Sequence, residues 1–227
     1  MEACLNKDVE FALAIGTDKA VSPFNTYGAT KLLMERLFVS ANYYKGDHKT
    51  KFACVRYGNV LGSRGSIIPK FIEQIMSGNK ITITDPNMTR FSITMDQALD
   101  LIFRIIKNTV GGDVYIPKLG AFKVGDMKDV LLDLMGCKNE EERIPVRIGE
   151  KFHEILINEH EIRNTYENLD NDYVIYENQL NPNLTKTIPN AKKTTFTTEY
   201  SSDKVKTTPK EELKQIFIEQ NLIPKKF

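Results

Sequence analysis

A short unbroken apolar run, Phe11-Ala-Leu-Ala-Ile15, is followed by a segment with helical spacing and then by a second expected strand from Phe52 to Val60. Uninterrupted apolar stretches of this kind suit strands buried on both faces. Two such strands joined by a helix lie in one sheet as a parallel pair with a right-handed crossover. Ser22-Pro23 is expected to open the connecting helix, which carries Leu33, Leu37, Ala41 and Tyr44 at helical intervals. Met1 to Leu5 reads as the last turn of a preceding helix, so the chain is expected to begin part-way through an α/β fold.

The alternation continues downstream. A glycine- and serine-rich loop, Gly58 to Ser66, leads to an expected helix over Ile68 to Met76 and a short alternating strand over Lys80 to Thr84. Thr94 and Gln97 form a capping box for a helix with Ala98, Ile102, Phe103 and Ile106 on one side, and Asp113 to Pro117 reads as a strand. Met127, Val130, Leu131 and Leu134 mark a further helix, while Lys138 to Arg143 reads as a solvated turn. From Asn158 to about Ser202 the composition turns to Asn, Thr, Lys and Pro, which predicts an irregular arm. Thr208, Pro209 and Glu211 then predict a capped last helix with Leu213, Ile216 and Phe217 buried.

Thirty-one basic residues balance thirty acidic ones, a formal charge of +1 that gives no reason to expect nucleic acid or an anionic membrane as a partner. The three cysteines have no CxxC pair, which argues for a reducing compartment, and the apolar runs are too short to span a bilayer. A cytoplasmic protein with no membrane association is expected. His153 and His160 lack partners at metal-ligand spacing and His48 lies in a polar connection, so no metal site is expected. Gly58, Gly62 and Gly65 are not enclosed by a strand-to-helix turn of the right spacing and do not make a phosphate fingerprint.

Two groups could carry chemistry. Tyr27-Gly-Ala-Thr-Lys31 places a phenol and an ammonium on one helix face, where the cation favours the phenolate and makes Tyr27 a usable base. The pattern is weak alone, since Tyr200 and Lys204 share the spacing in a polar tail and read as a solvated pair. Thr17-Asp18-Lys19 directly follows the first apolar strand, where open parallel sheets bind ligands, although a surface ion pair at a strand end is the alternative. The combination is rarer than either part.

Four stretches, Gly16-Thr-Asp-Lys-Ala-Val-Ser-Pro-Phe-Asn-Thr-Tyr-Gly-Ala-Thr-Lys31, Arg56-Tyr-Gly-Asn-Val-Leu-Gly-Ser-Arg-Gly-Ser66, Thr84-Asp-Pro-Asn-Met-Thr-Arg-Phe91 and Arg147-Ile-Gly-Glu-Lys151, resemble in order the signatures of the inverting UDP-N-acetylglucosamine 4,6-dehydratases. These are extended short-chain dehydrogenases that open routes to pseudaminic acid and related surface sugars. The resemblance covers residues 1 to about 157, with Glu199-Tyr-Ser-Ser202 and the last helix also similar. It implies the C-terminal half of a Rossmann-like parallel sheet with a smaller α/β substrate-binding domain. Residues 1–60 would be the C-terminal part of the NADP-binding domain, 61–157 the substrate-binding region, and 158–227 an arm with the C-terminal helix.

The resemblance further implies an NADP-dependent enzyme that oxidises C4 of UDP-N-acetylglucosamine, eliminates water across C5 and C6, and inverts C5. Tyr27 would be the C4 base, and Thr17, Asp18 and Lys19 would serve the elimination, with Lys19 expected to be buried beside cations so that it is neutral part of the time. Tyr27, Lys31 and Val60, Leu61, Gly62, Ser63 and Arg64 would contact NADP. Gly16, Thr17, Asn59, Ile67, Thr84, Arg90 and Arg147 would contact substrate, with Arg147 on the diphosphate. For Arg90, a helix-capping role or a pair with Asp85 or Asp96 is equally open. Tyr27 separates the chain from large membrane-anchored relatives, which carry methionine there.

Three departures accompany the resemblance. The family's glycine-rich phosphate-binding turn and first strands would lie upstream of Met1, so the chain is read as truncated and is expected to be inactive alone. Gly16 stands where serine is usual, a loss of about 1 kcal/mol of substrate hydrogen bonding. Ile148 replaces the usual proline beside Arg147. The full-length form is expected to be a homo-oligomer, and a truncated product would persist by pairing with a full-length copy through the outward face of the Tyr27 helix. A UDP-sugar 4-epimerase is the nearest enzymatic alternative, and Thr17-Asp18-Lys19 discriminates, since epimerisation needs no acid and base for elimination. A non-catalytic truncated remnant is the other.

Overall fold

The computed structural model describes residues 1–176 and 191–224. In chain order, the first half comprises α1 (Glu2–Asn6), β1 (Phe11–Ile15), a 3-10 turn (Asp18–Ala20), α2 (Thr26–Tyr44), β2 (Lys51–Val55), β3 (Asn59–Val60), α3 (Ile67–Met76), β4 (Ile81–Ile83), β5 (Thr89–Ile93) and α4 (Met95–Asn108). The second half comprises β6 (Asp113–Ile116), β7 (Ala121–Lys123), α5 (Val124–Met135), β8 (Glu141–Arg143), β9 (Ile155–Ile157), α6 (Glu159–Ile162), β10 (Thr165–Glu167), β11 (Tyr173–Tyr176), β12 (Lys192–Lys193), β13 (Tyr200–Ser201) and α7 (Lys210–Glu219). They divide into two compact units, one of residues 1–57, 99–118 and 155–201 and the other of residues 58–98, 119–154 and 202–227.

The first unit holds a six-stranded sheet in the order β1-β2-β6-β11-β10-β12. β1, β2 and β6 are parallel, and β11, β10 and β12 run antiparallel to their neighbours. The expected parallel α/β sheet is therefore present. Phe52, Ala53, Cys54 and Val55 of β2 are all fully buried, as a strand flanked by parallel neighbours and covered by helices must be. Burial drives the Cys54 thiol far above its usual range, with Glu35 adding to the effect, so it behaves as an inert apolar group.

Buried charge ties this unit together. Arg56, directly after β2, is 1% exposed. Its guanidinium forks onto both Glu35 carboxylate oxygens from α2 and both Glu161 oxygens from α6, and also donates to Leu156 O at 2.7 Å. Burial alone would lower the Arg56 pKa, but Glu35 and Glu161 outweigh it and the net shift is upward. Glu161 is fixed in turn by a complete capping box with Asn158.

The second unit contains a three-stranded sheet, β3-β5-β7, and a two-stranded parallel pair, β4 with β8. Its core joins Phe71 and Ile75 of α3, Met127 and Leu131 of α5, and Leu213 and Phe217 of α7. α5 ends on Gly136 at φ 65°, where the Gly136 and Cys137 N–H groups satisfy the last carbonyls. Lys210 and Lys214 of α7 pair with Asp129 and Asp133 of α5.

Several expectations change. α2 begins at Thr26, capped by the Asn25 side chain on Gly28 N at 2.8 Å, because Ser22 sits at φ 47° and cannot start a helix. Of its regularly spaced residues only Ala41 is buried; Leu33, Leu37 and Tyr44 are exposed, while Gly28, Glu35 and Val39 face inward. The second expected strand is broken at Arg56 into β2 and β3. The Thr94–Gln97 capping box forms in both directions, but α4 buries Ala98, Leu101 and Ile105 and leaves Phe103 and Ile106 exposed. The expected turn at Lys138–Arg143 contains β8, an exposed strand paired to β4 and held by Lys128 on Glu141. Thr208 does not cap α7, whose N-cap is Pro209 without a side-chain bond.

In the stretch expected to be an irregular arm, α6 and strands β10 to β13 form; residues 177–190 lie outside the described residues. Tyr200 and Lys204 are not on a helix: Tyr200 belongs to β13 and packs edge-on against Tyr173 at 5.1 Å.

Removing Arg56 by Arg56→Ala would strand two buried carboxylates, so urea unfolding should show a loss of about 3–5 kcal/mol. Glu161 is also a source of pH dependence. Burial works to raise its pKa, but Arg56, Asn158 N–H and Arg36 overcome this and hold it below the ordinary carboxylate range. A depressed folded value means its contribution is complete above the unfolded value of about 4.3 and is lost as pH falls through the folded value. Glu161→Gln should therefore flatten the stability curve below about pH 4.3, whatever its effect at neutral pH. An acid limb as steep as that of the parent would show that the carboxylate is not coupled to folding.

Candidate active site

In the first unit the chemistry-bearing residues gather at the carboxyl end of β1. Gly16 N donates to Val55 O at 2.7 Å, and a Cβ at Gly16 would stand 2.6 Å from that same oxygen. The chain then turns through the Asp18–Ala20 segment, with Asp18 N bonded to Tyr57 O at 3.2 Å. This turn breaks the strand's alternation and lets neighbouring side chains meet.

Asp18 is fully buried, and its two oxygens differ. Oδ1 accepts Thr17 Oγ1 at 2.7 Å and Lys19 Nζ at 3.0 Å, whereas Oδ2 has no hydrogen-bond partner among the described residues. A buried carboxylate oxygen without a donor is rare enough to point to a ligand. Lys19 is 39% exposed at its side chain and paired to a carboxylate. The expected burial among cations is thus not what the structure places around it, because its neighbour in the turn is Asp18.

Tyr27 and Lys31 lie one turn apart near the start of α2. Lys31 Nζ is 5.9 Å from the Tyr27 ring centroid and donates to Ile15 O at 3.2 Å, while the phenol is 54% exposed. Gly28 between them makes this approach possible, since a Cβ there would come 2.3 Å from Lys19 O. α2 therefore packs backbone to backbone on the Thr17–Lys19 turn.

The second unit has a cleft of about 290 Å³ that brings together Asn59, Ile67, Thr84, Arg90 and Arg147. Thr84 and Arg147 follow the parallel strands β4 and β8 at their carboxyl ends, again the ligand-binding side. Arg90 pairs with Glu150 at 3.3 Å and approaches Glu154 at 3.8 Å, so neither Asp85 nor Asp96 is its partner. Glu150, which the sequence analysis did not single out, also contacts Thr84 Oγ1 and Arg147 N, each at 3.4 Å. Its place in the turn closed by Glu150 N on Arg147 O, three residues after the arginine, was the available signal. Ile148 in that turn is fully exposed.

Val60 ends β3, and Leu61 to Arg64 form the loop to α3, with Leu61 buried, Gly62 at φ 72° and Arg64 exposed. These five are not part of the cleft lining.

Residues 1–177 match the family described as "Polysaccharide biosynthesis protein". The chain belongs to that family. It is 40% identical over 176 residues to the inverting UDP-N-acetylglucosamine 4,6-dehydratase of Campylobacter jejuni, covering 77% of this chain and 51% of that protein. It is 41% identical over 226 residues to a Methanocaldococcus jannaschii protein named an uncharacterized membrane protein, covering 96% of this chain and 65% of that one. A UDP-glucose 4-epimerase of Rickettsia rickettsii is 33% identical over 219 residues, covering 96% and 64%. The chain thus spans about half to two thirds of the length of these relatives.

Among solved structures, Pen from Bacillus thuringiensis superposes with a TM-score of 0.87 at 35% identity, over 98% of this chain and 66% of that one. The Thermus thermophilus UDP-glucose 4-epimerase complexed with NAD gives 0.57 at 20% identity, over 66% of this chain and 56% of that one, which is a likeness of fold. Relatives of this chain thus include proteins named as a UDP-sugar dehydratase and as a UDP-sugar epimerase. Among the described residues no helix is long and apolar enough to cross a membrane.

The contact at Gly28 yields a direct check. Gly28→Ala would drive a methyl into the Lys19 carbonyl and Pro23, so α2 must shift away from the turn. The expected loss is about 1–3 kcal/mol of stability, measured by urea unfolding. A neutral substitution would mean that α2 is not seated on the turn as described.

Proposed function

We propose that this chain is the catalytic and substrate-binding portion of an inverting UDP-N-acetylglucosamine 4,6-dehydratase, working in the cytoplasm on precursors of surface sugars such as pseudaminic acid. The observation that carries this reading is the Asp18–Lys19 pair at the end of β1: a buried carboxylate with one anchored and one unpartnered oxygen, beside an ammonium. An epimerase has no use for such a pair, since it only removes and returns hydride at C4. The dehydratase named among the relatives supports the same choice.

Tyr27 takes the C4 hydroxyl proton, helped by the neighbouring Lys31 cation. The C4 ketone then acidifies the C5 proton, and Asp18 and Lys19 share its removal and the protonation of the departing C6 hydroxyl, with the Thr17 hydroxyl holding Asp18 Oδ1. Arg147 binds the diphosphate, and Asn59, Ile67, Thr84, Arg90 and the Gly16-Thr17 backbone hold the rest of the substrate.

When bound, a nicotinamide cofactor, NADP in this reading, would supply the hydride acceptor for C4 and the hydride for C6. Its ribose end fits Tyr27 and Lys31, because Lys31 Nζ is already held at the β1 terminus by Ile15 O. Val60 to Arg64 would run along it. Among the described residues the glycine-bearing loop between β3 and α3, with Gly62 and Gly65, lacks the G-x-G-x-x-G spacing that seats a pyrophosphate, so in this reading the pyrophosphate is held by a segment such as the longer relatives have. The exposed Leu33 and Leu37 on α2 support a homo-oligomer of the complete form.

The test is proton NMR of UDP-N-acetylglucosamine in deuterium oxide with this chain, alone and joined to the upstream half of a relative. A 4-keto-6-deoxy product, inverted and deuterated at C5, is expected only with the upstream half. Epimerised hexose without a methyl signal would replace the dehydratase by the epimerase, and no turnover in either form would favour a non-catalytic remnant. In the joined form, Asp18→Asn and Lys19→Ala should each lower turnover by about 10²–10⁴-fold, the range typical of a lost general acid or base.

A further inference from the structure

Several cations of the second unit are paired: Arg90 with Glu150, Lys128 with Glu141, Lys210 with Asp129 and Lys214 with Asp133. Two cations on the cleft are not. Lys70 and Arg147 both line it, and neither charged group has a hydrogen-bond or ion-pair partner among the described residues. Lys70 is also half-buried, where an ammonium without an anion is unfavourable.

The carboxylates that share the cleft do not neutralise them. Glu150 is engaged by Arg90, Thr84 and the Arg147 backbone, and Asp85 accepts from Asn87 N at 2.7 Å and lies 4.0 Å from Arg143. Lys70 sits one turn into α3, its N–H bonded to Ser66 O at 3.4 Å. Side chains on a helix lean toward its N-terminus, so Lys70 projects back over Ser66. Ser66 lines the same cleft, and its hydroxyl is buried, makes no capping bond and has no partner among the described residues. Two unpaired cations and an unpartnered hydroxyl around one cleft form a site for a group carrying more than one negative charge.

We propose that Lys70 is a second diphosphate-binding cation of this cleft, acting with Arg147, and that it sets a preference for nucleoside diphosphates over monophosphates. The proposal rests on the reading above that the cleft receives a UDP-sugar, and it adds a residue that reading does not use. Arg147 offers a bidentate fork, whereas Lys70 offers a point charge that reaches one phosphate. Loss of Lys70 therefore weakens ligands in proportion to the phosphates they carry and leaves the nucleoside contacts intact.

Isothermal titration of the full chain with UDP, UMP and uridine tests this, with Lys70→Gln and Lys70→Arg beside the parent. The parent is expected to bind UDP more tightly than UMP. Lys70→Gln should weaken UDP about tenfold, the loss of one charge-assisted contact, while UMP changes less and uridine not at all. Lys70→Arg should restore UDP binding. An unchanged UDP affinity in Lys70→Gln, or an equal loss for all three ligands, would overturn the role of Lys70 while leaving the sugar-nucleotide reading in place. A parent chain that binds none of the three, or does not prefer UDP to uridine, would overturn the reading of the cleft itself and Lys70 with it.

Discussion

Arg56 determines how the first unit is put together. It lies at the exit of the central parallel strand, and its planar guanidinium reaches α2 through Glu35, α6 through Glu161 and the end of β9 through Leu156 O. Each connection comes from a different stretch of sequence, more than twenty residues away in one case and about a hundred in the others. Such a triad gives little net stability, because removing three charges from water offsets most of their attraction. Its effect is on geometry: only one placement of α2 satisfies both Glu35 oxygens, and that placement fixes where Tyr27 and Lys31 stand. Glu161 is doubly constrained, since Oε2 accepts both Arg56 and Asn158 N at 3.0 Å.

Close backbone approach does the rest of the positioning. Gly16 lies against the Val55 carbonyl and Gly28 against the Lys19 carbonyl, so the turn bearing Thr17, Asp18 and Lys19 is held between the end of β2 and the start of α2. The serine usual at the Gly16 position in the family resembled would meet that carbonyl, which makes glycine here a consequence of how tightly β1 ends on β2. The second unit uses the same principle in miniature. Its parallel pair β4 and β8 ends in Thr84 and the Arg147 turn, and Glu150 closes that turn while holding Arg90. Polar groups collect at the carboxyl ends of parallel strands in both units because the chain must leave the sheet there and expose backbone and side chains together.

What could be read from the sequence was what is local. β1, α3, β4, α5 and the Thr94–Gln97 box follow from periodicity and capping, which act over a few residues. The start of α2 was misplaced because Ser22-Pro23 satisfies the rule for a helix start, yet the left-handed Ser22 backbone excludes it and Asn25 caps instead. The buried side of α4 was misjudged because apolar residues occur on both faces, and only packing decides for Leu101 and Ile105 over Phe103 and Ile106. Strands β8, β10 and β12 are rich in Glu, Thr and Lys, and their pairing comes from partners distant in sequence. The burial of Glu35 and Arg56 likewise has no local signal, since each depends on the other.

Tyr27, Lys31 and the Thr17–Lys19 turn were legible because a strand end, a helix start and their spacing coincide. The arrangement of charge within the turn was not. In the proposed reaction one proton leaves C5 and one is delivered to the C6 hydroxyl, so the enzyme must present an acceptor and a donor at once. The resting pair has one of each: the carboxylate of Asp18, with Oδ2 unpartnered, and the ammonium of Lys19 on Oδ1. After both transfers the pair would be a carboxylic acid and an amine, with the same net charge as before. No uncompensated charge is then buried at any stage, which is what a fully buried carboxylate needs if it is to take up a proton and give it back. In the proposed reaction the salt bridge between Lys19 and Asp18 would therefore be the feature that lets the elimination proceed without a change in buried charge.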